Sequence, residues 1–189
     1  MPDLGLLKRH TELLLGSARE LTDTSAPSLC TGWSRGHVLT HIARNADGMA
    51  ALCRSALEGT GETMYRSDES RDSDIEAGAH RPVTALVDDL ATSAAVLDPL
   101  LTRLGPEHAD LTVERTPGGH RFRVGDLIGL RLREVVYHHV DLATAFTFAD
   151  VEADLVAAFL NDEYLRLGAE PGHAARAADL LWRARGIRD

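Results

Sequence analysis

Four segments of this chain space their apolar side chains as an α-helix does, and that periodicity leaves few folds open. Over residues 3–22, Leu4, Leu7, Leu14, Ala18 and Leu21 form one stripe, because positions three and four apart share a helix face. Residues 34–57 repeat it with Val38, Ile42, Asn45, Ala46 and Met49, and residues 82–104 with Leu86, Leu90, Ala94, Leu97, Leu101 and Leu104. In residues 126–146 the apolar set includes Leu132, Val135, Val136, Val140 and Leu142. Ser34 is placed to cap the second segment and Gly59 to stop it, while Pro82 suits the first turn of the third. Pro99 is expected to kink or shorten that third helix. A fifth helix is predicted over 151–167, ended by Gly168, and a short last one over 172–185. Four long amphipathic helices joined in series predict a mostly all-α chain built as an up-and-down four-helix bundle. One departure is the alternating stretch "LTVERTPGGHRFRV" (111–124), which reads as a small β-hairpin turning at Pro117-Gly118-Gly119.

At 189 residues, the chain is long enough for one domain with a real core and a short appendage. A net charge of −9 with no basic cluster argues against nucleic acid as a partner, since a basic face supplies most of that affinity. No apolar run approaches membrane-spanning length and no signal segment opens the chain, so a cytoplasmic protein with no membrane partner is expected. The two cysteines, Cys30 and Cys53, make no secreted framework and are expected to be reduced. Residues 59–81, "GTGETMYRSDESRDSDIEAGAHR", read as a polar, turn-rich loop, too long for a bland connection and therefore functional or disordered.

The fourth helical segment raises the functional question. In "LREVVYHHVDL" (132–142), Glu134 and His138 stand four apart and project from one face. His41 flanks the apolar stripe of the second segment, with His37 one turn before it. Burying a carboxylate and imidazoles uncompensated costs several kcal/mol. A divalent metal would offset that cost, using one carboxylate oxygen and two neutral imidazole nitrogens. The plainer alternative is a solvated Glu–His pair, which the spacing alone leaves open.

Three segments in order, "GWSRGHVLTHIARNADGM" (32–49), "MYRSDESRDSDIEAGA" (64–79) and "RLREVVYHHVDL" (131–142), resemble the mycothiol-dependent maleylpyruvate isomerase family, within the DinB-like (YfiT-like) metal-binding bundles. The resemblance covers about residues 1–150, the expected bundle domain. It implies that His41, Glu134 and His138 hold a zinc ion, nickel and iron being other metals such a set accepts. It further implies mycothiol as thiol cosubstrate and a cis–trans isomerase of an unsaturated acid, working by thiolate addition, bond rotation and elimination. Arg71 and Arg131 are the candidates for binding the substrate carboxylate, as a guanidinium fork suits one. On this scaffold a mycothiol S-transferase and a non-enzymatic metal-binding or stress-response module are the other readings. Family isomerases carry a further α/β domain. Here residues 151–189 read as helix, a reduced remnant of it, which would leave the pocket more open or have it closed by a second subunit of a homodimer. Trp33 is expected as a core plug, Tyr65 as a loop anchor, and Asp141 as a hydrogen-bond partner of a ligand histidine.

Overall fold

A computed structural model describes residues 4–169 of the chain. They divide into two compact units, with the boundary between Thr147 and Phe148. In the first, four long helices make a DinB-like bundle: α1 (Leu4–Arg19), α2 (Arg35–Glu58), α4 (Val83–Arg103) and α5 (Leu127–Asp141). α1 packs against α4 and α5, and α2 packs against the same two. The buried stripes follow the predicted periodicity, except that Leu4, Ala94, Leu104 and Val140 are only half-buried. Leu7, Leu14 and Ala18 of α1 meet Val38, Ile42, Ala46 and Met49 of α2, Leu86, Leu90, Leu97 and Leu101 of α4, and Leu132, Val135 and Val136 of α5 in the core. The second unit contains α6 (Ala153–Ala169), two residues later at each end than expected. The helix expected over 172–185 lies outside the described residues. No described helix is long and apolar enough to cross a membrane.

Local chemistry explains where α2 begins and ends. Ser34 Oγ accepts from the His37 backbone N–H, and the Ser34 N–H donates back to His37 Nδ1 at 3.2 Å, a reciprocal cap built with histidine instead of glutamate. Gly59 closes the helix at φ 68°, a conformation glycine adopts without a Cβ penalty. α5 stops at Asp141, five residues before the periodicity suggested, because Ala143 turns to φ 52°. Arg35 satisfies the carbonyls freed there, donating to Leu142 O and Ala143 O at 2.8 Å each. Helix α4 runs on past Pro99 to Arg103, so that proline does not shorten it.

The polar stretch 59–81 is corrected by the structure. It holds a helix, α3 (Asp68–Gly78), whose only buried side chain is Ile75. Ser67 caps it by accepting from the Ser70 N–H, and Asp68 and Glu69 complement its positive end. α3 lies on α2 through close backbone approach: a Cβ on Gly36 would run into the Ala79 carbonyl, and one on Gly78 into Thr40. The hairpin is present as β1 (Thr112–Glu114) and β2 (Arg121–Arg123), paired antiparallel with Val113 opposite Phe122. The Met64 and Tyr65 N–H groups donate to Glu114 O and Arg115 O, tying the segment before α3 to the hairpin.

Candidate metal centre and its cavities

α2 and α5 bring His41, Glu134 and His138 together across the bundle. His41 Nε2 lies 3.0 Å from Glu134 Oε2, and His138 Nε2 lies 3.7 Å from the same oxygen. The two imidazole rings stand edge to face with centroids 4.6 Å apart. One ligand atom from each of the three falls within 4.8 Å of the others. Burial pushes the His41 pKa down, which favours the neutral imidazole a metal requires. Burial opposes the charge on Glu134, but the hydrogen bond from His41 and the positive groups around it hold the carboxyl below the usual carboxylate range. Two imidazoles and one carboxylate, open on one side to a cavity, match the donor set of a catalytic zinc site.

The residues behind the triad orient it. His138 Nδ1 lies 2.9 Å from Asp141 Oδ2, an arrangement that keeps the ring's proton on Nδ1 and leaves Nε2 free to ligate. Cys30 donates its thiol proton to the same carboxylate at 3.2 Å, and burial together with Asp141 pushes that thiol up to about 12. Cys30 and Cys53 are both free.

Of the two arginines expected to bind substrate, the structure brings only one to the cavity. Arg71, on α3, reaches His41 Nδ1 at 3.3 Å and pairs with Asp72 at 2.5 Å. Arg131 is 1% exposed and lies beneath the site. It donates to Ile42 O at 3.0 Å and to Asn45 Oδ1 at 2.7 Å, and Asn45 in turn reaches Glu134 at 3.5 Å. Arg131 stands one turn before Glu134 on α5 and its guanidinium turns onto α2, so the expected substrate contact is replaced by an anchor in the scaffold behind the triad.

The cavity against the triad measures about 270 Å³ and is walled by Met49, Met64 and Phe122 with Arg71, Arg115 and Arg133 around it. Sequence reasoning missed Asn45, Arg115 and Arg133. A polar residue inside the apolar stripe of α2 was a signal for the first; the two arginines carried none, because only folding brings the hairpin to α5. Tyr65 lines the cavity, with the guanidinium carbons of Arg71 and Arg115 at 6.0 and 5.3 Å from its ring centre. Trp33 is half-buried, with its ring 5.3 Å from that of His41 and 6.4 Å from that of His138.

Residues 7–143 match the family model described as the mycothiol maleylpyruvate isomerase N-terminal domain. The chain belongs to that family. Two solved structures resemble this chain, each with a TM-score of 0.75 over 82% of it: mycothiol-dependent maleylpyruvate isomerase at 28% identity and a histidine-to-alanine mutant of it at 27%. The family member described here spans 65% of each of those chains. No curated protein matches it.

Proposed function

We propose that this protein is a zinc- and mycothiol-dependent cis–trans isomerase of an unsaturated acid, with maleylpyruvate-like chemistry. The observation that carries the reading is the convergence of His41, Glu134 and His138 on one wall of a cavity that also presents Arg71, Arg115 and Arg133. Zinc held by the triad would lower the pKa of a bound thiol and so supply a thiolate at neutral pH. The protein's own groups do the rest. Arg71, Arg115 and Arg133 bind and orient the substrate carboxylates, aligning the conjugated cis double bond with the sulfur. The thiolate adds to one alkene carbon, and the π pair moves onto the conjugated carbonyl oxygen, where the cavity's guanidinium groups stabilise it. The former double bond, now single, rotates. Return of the pair expels the thiolate and leaves the trans isomer, with no net gain or loss of a proton. Asp141 keeps His138 in its ligating tautomer, and the Arg131–Asn45 pair keeps Glu134 in place.

Elemental analysis by mass spectrometry of the wild type beside Glu134→Ala tests the site first. About one zinc per chain, lost in the variant, is the expected result; no metal in the wild type after zinc is supplied overturns it. Incubation with mycothiol and a cis-enoic acid then separates the readings. An isomerase forms the trans acid with thiol undiminished, an S-transferase consumes thiol mole for mole, and a binding module does neither.

A further inference from the structure

A second cavity, of about 380 Å³, opens beside the first and is lined by Trp33, His37, Arg71, Asp72, Ile75 and Glu76. Arg71 is the residue the two share. Beyond Arg71 their linings differ. The first is ringed by three arginines and suits an anion. The second has an indole wall and two carboxylates at a solvent-facing rim, Asp72 being 66% exposed and Glu76 69%. Ionised carboxylates accept hydrogen bonds and cannot donate them, so this rim disfavours a carboxylate substrate and favours a ligand rich in hydroxyl groups. Sugar-type rings offer such hydroxyls at their edges and C–H faces that lie against an aromatic wall. The carboxylates are held in place by partners on one side, Glu76 by His37 Nε2 at 3.0 Å and His80 Nε2 at 3.4 Å and Asp72 by Arg71, and a carboxylate keeps further lone pairs for a ligand's hydroxyls. Trp33 lines this cavity and its ring lies 5.3 Å from that of His41 and 6.4 Å from that of His138, so a group seated against it leaves a short path for a tethered sulfur to reach the triad.

We infer that this second cavity holds the polyhydroxylated part of the thiol cosubstrate, with Trp33 as its wall and Asp72 and Glu76 as hydroxyl acceptors, while the arginine-lined cavity holds the acid. The inference rests on the proposed thiol-dependent function and assigns the two ligands of that reaction to separate subsites. Mycothiol is N-acetylcysteine joined through an amide to a glucosaminyl-inositol, so its sulfur can be tested with and without its sugars.

The test is calorimetric titration of the zinc-loaded protein with mycothiol and with N-acetylcysteine amide, for the wild type, Asp72→Ala and Glu76→Ala. Both substituted side chains are largely exposed, so folding is not at stake. Mycothiol is expected to bind at least about tenfold more tightly than the amide, the worth of one good hydrogen bond to a charged group. Each variant is expected to shrink that advantage while leaving amide affinity and zinc content unchanged. Equal affinity for the two thiols, or variants that weaken both alike, overturns the subsite assignment and leaves the function standing. Absence of zinc, or of binding by either thiol, overturns both.

Discussion

Individual side chains decide more here than their spacing suggested. Glu134 and His138 were legible because a helix places positions four apart on one face, and His41 because an imidazole beside an apolar stripe needs a reason. Arg131 shares Glu134's helix and stands one turn before it, yet the two have different surroundings, which no single-helix argument could reveal. A clean contrast follows. Arg131→Ala leaves the buried Asn45 Oδ1 without its arginine donor, takes a second donor from the Ile42 carbonyl and opens a cavity, so it is expected to destabilise the fold by about 2–4 kcal/mol in urea unfolding. Arg115→Ala, at the cavity, is expected to raise KM for the acid about tenfold or more with the urea midpoint nearly unchanged. The reverse pattern would restore Arg131 as a substrate binder. Acid stability belongs to this scale too. Glu134 and Asp141 both have folded pKa values below their ordinary ones, so the unfolded chain takes up protons first as pH falls. The stability they contribute is complete above the ordinary carboxylate range of about 4 and is lost as pH falls through their lowered values. In the metal-free protein, urea midpoints measured from pH 7 to pH 3 are expected to fall less steeply for Asp141→Asn than for the wild type.

At the scale of elements, the four long helices were readable and α3 was not. The long helices advertise themselves by stripes of four to six apolar residues. α3 buries one side chain, Ile75, and its sequence "DESRDSDIEAG" has the composition of a solvated loop. What makes it a helix is a serine cap, two acids at its positive end and a glycine-lined seat on α2, and the last of these is a tertiary fact. Gly36→Ala tests the seat. The added methyl meets the Ala79 backbone carbonyl, which cannot swing aside as a side chain could, so α3 must lift from α2. The expected cost is about 1–3 kcal/mol. Because Arg71 and Asp72 ride on α3 whereas the triad does not, substrate affinity is expected to fall while zinc content holds. Equal loss of both would mean that α3 and the triad are one cooperative unit. The early end of α5 was hidden for a similar reason: Ala143 gives no sign in sequence of its positive φ, and the guanidinium that compensates comes from Arg35, over a hundred residues away in the chain.

Taken whole, the molecule is a bundle whose class could be read from periodicity, with a site assembled from α2, α3, α5 and the hairpin, segments that meet only in the folded state. The arginines around the cavity have a kinetic meaning that their role as anchors does not exhaust. They sit in a chain of net charge −9. A dianionic acid approaching from afar meets the repulsion of the whole acidic body, and feels the guanidinium groups only once it is close. Salt separates these two influences, because at about 0.1 M the screening length is near 10 Å, shorter than the molecule but longer than the last step into the cavity. Raising ionic strength from about 10 to about 100 mM is therefore expected to increase kcat/KM for a dianionic acid, with a decline only at higher salt, and to leave a neutral analogue unaffected. A monotonic fall would mean that the cavity's positive potential dominates at long range. On the expected outcome, the protein's exterior works as a barrier of charge that small anions cross more easily in a salty medium than in a dilute one, so its efficiency is set partly by the ions around it.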